Sequence, residues 1–126
     1  MDQELRIELT EEPDQTHKLT LVVPTGRFTM NPAQLSEAIS ALAIDRAAMD
    51  PPVSVDAPSM ATLPHVADDP AMRWAYDEMS DRVALLIRHP GHGWIGYSLT
   101  MEIANALQLS LAQIADYRNK QRQTPH

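Results

Sequence analysis

The stretch from Arg82 to Leu99 constrains the fold most tightly, because it predicts two strands joined by one short turn. Pro90 fixes φ at the first central turn position, and Gly91 accepts positive φ at the second. The first of these strands is apolar on both faces between residues 83 and 87, which is typical of a strand in the centre of a sheet. We therefore expect this segment to lie at the middle of a mainly antiparallel sheet.

The same turn gathers polar side chains that can carry chemistry. As the first and fourth turn residues, His89 and His92 have Cα atoms less than ~7 Å apart. Imidazole binds zinc and copper and titrates near neutral pH, whereas arginine clamps anions. We name five candidate ligand-binding residues, of which the last belongs to a proline-rich segment: Arg88, His89, His92, Trp94 and His65.

His89 and His92 are also the candidate metal ligands. A catalytic zinc usually takes three protein ligands and a structural zinc takes four, but the turn supplies two. His65, Asp68 or Asp69 adds a further ligand only if the proline-rich segment lies beside the turn. The sequence therefore predicts no metal and no cofactor. The alternative is a purely structural turn, in which Gly93 allows a bulge or positive φ.

Four aromatic residues fall on predicted strands: Trp74, Tyr76, Trp94 and Tyr97. They can form a stacking platform for a ligand, with an arginine as the anion clamp. The alternative is that they cover a sheet face. We favour the second interpretation and expect the two tryptophans to anchor the core.

Local patterns predict the remaining elements. Alternating apolar residues indicate strands over 4–10, 18–23 and 72–78, in addition to the strands over 82–88 and 94–99. Asn31, Pro32 and Gln34 form a helix start, and Leu35, Ile39 and Leu42 continue it on one face to about residue 48. A last helix begins after Thr100, buries a stripe of Ile103, Leu107, Leu111 and Ile114, and fades near residues 117–120.

The element order is therefore β-β-α-loop-β-β-β-α. It predicts an α+β fold in one domain over residues 1–120, with five strands in one sheet and two helices on one face. Residues 49–70 form a long proline-rich loop, which we expect to wrap the fold rather than act as a mobile lid. Residues 121–126 are predicted to be a disordered tail, and no internal repeat is visible at residue level.

Composition excludes several classes of protein. The chain has 126 residues and no cysteine, which rules out disulfides and thiolate metal sites. The N-terminus lacks the pattern of a signal peptide, and no apolar run reaches the ~18 residues of a membrane span. We expect a cytoplasmic protein that does not bind membranes. The net charge of −7 argues against nucleic-acid binding. A nucleic-acid or regulatory partner protein that uses the basic C-terminal end (Arg118, Lys120 and Arg122) is therefore the weakest of three functional hypotheses.

The functional prediction is a small, non-enzymatic binding protein that forms a homodimer or binds another protein. One face of the predicted sheet still needs cover, and Val22 and Leu86 are outward candidates on it. The alternative is a small enzyme or ligand-binding domain whose site joins the His89–His92 turn to the proline-rich loop. Common nucleotide-binding loops, the nucleophile elbow and the HExxH zinc motif are all missing from the sequence.

Overall fold

A computed structural model describes residues 5–123 of the chain. The chain divides into two compact units. Unit 1 comprises Met1–Val66 with Gly91–Gly93, and unit 2 comprises Ala67–Pro90 with Trp94–His126. Each unit contains a three-stranded antiparallel sheet followed by one helix.

Unit 1 begins with a meander of three strands, β1 (Arg6–Glu11), β2 (His17–Val23) and β3 (Gly26–Met30). Its strand order is β1-β2-β3. On the central strand, Leu19 lies opposite Leu9 and Met30, and Leu21 lies opposite Ile7 and Phe28. Because paired residues share a face, these six apolar side chains lie on one side of the sheet. We call this side face 1.

Helix α1 (Pro32–Ala48) follows β3 and contacts β2 and β3. The helix bounds agree with the sequence prediction, because its start signal is complete. The Asn31 side chain accepts a hydrogen bond from the Gln34 N–H at 2.9 Å, and the Gln34 side chain accepts one from the Asn31 N–H at 3.0 Å. This reciprocal pair is a capping box.

The capping box gives a testable stability effect. We expect Asn31→Ala to lower the free energy of unfolding by about 1 kcal/mol, because the N–H of Gln34 loses its acceptor. Urea denaturation followed by circular dichroism measures this change. Ser40→Ala, at an exposed position within the helix, serves as the control, and an equal loss in both variants would contradict the capping role.

Unit 2 repeats the arrangement with β4 (Met72–Asp77), β5 (Arg82–His89), β6 (Gly93–Thr100) and helix α2 (Met101–Gln123). The strand order β4-β5-β6 confirms that the apolar strand over 82–88 is central in its sheet. Trp74 lies opposite Leu85, and Tyr76 lies opposite Val83. The Thr100 hydroxyl accepts a hydrogen bond from the Ile103 N–H at 3.2 Å, which confirms the predicted cap.

The α+β class is confirmed, but the predicted sheet is wrong in number and partition. The described residues form six strands in two sheets instead of five strands in one, and each sheet has its own helix. The extra strand is β3, in a segment for which the sequence predicted no element. Helix α2 reaches Gln123, three residues into the segment predicted as a tail, and 124–126 lie outside the described residues. That residues 1–120 form one domain stays a prediction.

The two units share the order β-β-β-α, which is a structural repeat. Sequence comparison of the halves missed it because β3 was not recognised, so the first half seemed one strand short. Between α1 and β4, residues 49–71 contain no strand and one short 3₁₀ turn, Met60–Thr62. Apolar residues of this segment are exposed, Val55 completely so. The wrapping and lid interpretations of the segment stay predictions.

No side chain is fully buried within residues 5–123. The two tryptophans were expected to anchor the core, but Trp74 is 70% exposed and Trp94 is 49% exposed. The predicted buried stripe of α2 is also open to solvent, with Ile114 64% exposed. These expectations are wrong for the single chain, because alternation identifies an apolar face without showing what covers it. Among the described residues, no helix has the length and hydrophobicity required to cross a membrane.

Candidate functional site

The most prominent surface feature is a pair of apolar sheet faces that their own helices cover only in part. Face 1 is defined above. Face 2, on the sheet of unit 2, consists of Met72, Trp74, Tyr76, Val83, Leu85 and Ile87, extended by Leu99 of β6. Both faces consist of every second residue along their strands, because such residues point to the same side of a sheet.

In unit 1, helix α1 leaves an open groove of about 540 Å³ along face 1. Leu21 and Phe28 line it from the sheet, and Ala38 and Leu42 line it from the helix. Leu35, Ala38 and Ile39 are half-buried, so the helix rests on the sheet through its first half. Phe28 nevertheless remains 65% exposed.

In unit 2, a groove of about 550 Å³ lies between face 2 and α2. Trp74 and Leu85 line it from the sheet, and Ala104, Leu107 and Leu111 line it from the helix. Ala104 is half-buried, but every described residue of α2 from Asn105 onward is exposed. The helix therefore contacts the sheet near its N-terminal end and leaves apolar surface open along its length.

The exposed surface area of the chain shows how much surface the helices leave uncovered. The chain has a mass of 14.0 kDa and exposes 11,342 Å². A folded monomer of that mass exposes about 6,700 Å², and two separate folded units of half the mass expose about 8,100 Å² together. Even the larger reference leaves roughly 3,000 Å² of surface unaccounted for. A second copy that covered all of it would bury about 6,000 Å² on the two chains together, which is within the range of large obligate homodimer interfaces.

The opposite side of the second sheet carries apolar residues such as Ala75 and Leu86 together with hydrogen-bonded polar ones. Arg82 Nε donates to the Ser98 hydroxyl at 2.7 Å, and its Nη2 donates to the Ser98 carbonyl at 3.1 Å. Because Arg82 alternates with Val83 along β5, these bonds place Ser98 on the side away from face 2. At the β4–β5 turn, hydrogen bonds from the Ser80 hydroxyl and then the Met79 N–H lower the pKa of Asp77.

Tyr76 and Asp81 form a titratable pair at the same turn. The tyrosine hydroxyl donates to Asp81 Oδ1 at 2.7 Å, and this bond is the main reason that the pKa of Tyr76 is raised. The folded state holds the phenol proton more tightly than the unfolded state does. The bond therefore stabilises the fold below the ordinary tyrosine pKa of about 10, and the stabilisation is lost as pH rises through the raised value.

We expect Asp81→Asn to return the pKa of Tyr76 toward its ordinary value, because the carboxylate that favours the neutral phenol is gone. Asparagine tolerates the positive φ of 53° at this position, so the turn should persist. An NMR titration of the tyrosine ring carbons measures the change, with Tyr97 and Tyr117 as internal references. An unchanged Tyr76 titration in the variant would exclude the bond.

The five residues named from the sequence occupy different elements. Arg88 and His89 end β5, and Trp94 lies in β6. His92 lies in the turn between these strands, and His65 lies in the segment before β4. His89 is half-buried and the other four are exposed. None of them lines either groove, and their ligand-binding role stays a prediction. Gly93 has φ +77°, as the structural interpretation of the turn expects.

Within residues 5–123, no three histidine, aspartate or glutamate side chains are grouped as metal ligands. No family model, curated protein or solved structure matches the chain. A proposal for the function of the chain therefore rests on its own geometry. Alternation identified the face 1 residues of β1 and β2 and the face 2 residues of β4, but not those of β3, nor that both faces are left open in the single chain. The outward candidates Val22 and Leu86 lie on the other sides of their sheets, because each is next in its strand to a residue of face 1 or face 2.

Proposed function

We propose that the chain is the subunit of a homodimer and acts as a non-enzymatic interaction protein, whose hydrophobic core is completed by the second copy. The observation that carries the proposal is the absence of any fully buried side chain in residues 5–123, together with an excess of exposed surface. A stable monomer needs a closed core, because burial of apolar surface is the main force that offsets the entropy lost on folding.

A second copy of the same chain accounts best for the open surface. Each chain leaves roughly 3,000 Å² to be covered, which is more than a transient partner typically buries. Both faces are apolar, as the interfaces of obligate homodimers are. A second copy of the chain presents the same two apolar faces, so no other partner is required to cover them.

Sedimentation equilibrium of the purified chain tests the proposal. We expect a single species at twice the 14.0 kDa chain mass over the micromolar range. A folded species at the single-chain mass, with slow amide exchange in the strands, would overturn the homodimer. Retention of a small molecule by that monomer would instead favour the ligand-binding alternative.

A further inference from the structure

We infer that two copies of the chain join through the outer edge of β6, so that their unit 2 sheets form one continuous six-stranded sheet. This inference rests on the proposed homodimer and names the strand that builds it. Strand β6 lies at the edge of its sheet and has no strand partner on its outer side within residues 5–123. Such an edge presents a row of backbone donors and acceptors to any strand that approaches.

The composition of β6 distinguishes it from the other edge strands. Its eight residues, GWIGYSLT, include no charged residue and no proline. In contrast, β1 carries Arg6, Glu8 and Glu11, β3 carries Arg27, and β4 carries Arg73 and Asp77. Proteins protect solvent-exposed edges with charges, prolines or bulges. A long edge strand without a charge or proline is therefore expected where the edge is paired in the assembly.

Symmetry then fixes the arrangement of the two strands. Identical strands that pair side by side and antiparallel are related by a two-fold axis perpendicular to the sheet. One residue must then lie opposite its own copy, and if the two strands pair along their full length it is one of the middle residues of β6, Gly96 or Tyr97. A Cβ added at Gly96 would meet no atom within 4 Å, so the strand is uncrowded at that position.

The same axis also fixes how the two copies of face 2 are oriented. Because it is perpendicular to the sheet, both copies of face 2 and both α2 helices lie on the same side of the six-stranded sheet. Leu107 and Leu111 point into the groove on face 2. Ile103 and Ile114 lie about 20° apart around the same helix, on either side of Leu107 in sequence, and both are exposed. Because the two copies of face 2 lie side by side, edge pairing does not cover Trp74 on the edge strand β4, and the homodimer needs a further contact of the second copy with face 2 there.

Single-cysteine variants give a direct geometric test, because the natural chain has no cysteine. Gly96, Ala84 and Ala75 lie on β6, β5 and β4, and all three are on the side of the sheet away from face 2. Each is small, so a cysteine changes little. With strands about 4.8 Å apart, the lateral separation between identical positions is about 5 Å at residue 96, 14 Å at 84 and 24 Å at 75.

We expect Gly96→Cys to form an intermolecular disulfide under mild oxidation, whereas Ala75→Cys does not. Spin labels should show the separation between identical sites rising from residue 96 through 84 to 75. A dimer in which residue 75 is as close to its copy as residue 96 would overturn edge pairing and leave the homodimer intact. A chain that sediments as a monomer would overturn both.

Discussion

Replacing Trp74 with aspartate is expected to separate the homodimer into single chains. The indole lies on face 2 in the edge strand β4, opposite Leu85, and is 70% exposed in the single chain. Covering an indole contributes about 3 kcal/mol per chain, and a homodimer contains this contribution twice. We expect the dissociation constant to rise at least ~1,000-fold, as measured by sedimentation equilibrium over a range of loading concentrations.

Ala75→Asp is the matched control for this change. Residue 75 is the next in β4, is also exposed and lies on the opposite side of the sheet. The control introduces the same charge in the same strand, so it reports any general effect of a carboxylate on β4. We expect it to leave the dissociation constant within ~10-fold of the natural chain. Equal weakening by both substitutions would mean that face 2 is not buried in the assembly.

Unit 1 is expected to respond in the same way when Phe28 becomes aspartate. Phe28 lies on face 1 opposite Leu21, lines the groove beside α1 and is 65% exposed. A charge placed among buried apolar side chains destabilises by several kcal/mol. We expect the free energy of unfolding of the homodimer to fall by at least about 3 kcal/mol, as measured by urea denaturation at fixed chain concentration.

Thr29→Asp provides the control for unit 1. Thr29 is exposed and borders the same groove, but its hydroxyl lies on the other side of the sheet, 3.1 Å from that of Thr20. Loss of this exposed hydrogen bond should cost less than about 1 kcal/mol. If Phe28→Asp were no more harmful than Thr29→Asp, face 1 would be a solvent-exposed surface in the assembly as well as in the single chain.

Local signals account for what could be predicted from the sequence. The bounds of α1 were predicted correctly because Asn31 and Gln34 form a complete capping box and Pro51 and Pro52 follow the helix. The alternation of Trp74 with its neighbours correctly assigned the apolar face of β4. Such patterns depend on residues two to four positions apart, and one sequence contains all of that information.

The remaining features depend on contacts that local patterns do not encode. β3 was missed because Pro24, Thr25 and Gly26 end one strand so clearly that the short run after them was not taken for another. Whether the strands form one sheet or two depends on which strands pair. The alternation of apolar residues along each strand is the same in both cases. The exposure of Trp74 and Phe28 depends on whether this chain or a second copy covers their faces. The candidate residues around His89 and His92 were selected for their chemistry alone, and neither groove includes them.

The dependence of thermal unfolding on protein concentration tests most directly whether association completes the fold. A homodimer that unfolds to separate chains gains about 2.7 kcal/mol of stability for each 100-fold rise in concentration. For two chains of this length, we expect the midpoint temperature to rise by roughly 5–10 °C over that range. A midpoint that stays constant over the same range, with a cooperative transition, would show that the single chain folds alone and would contradict the account.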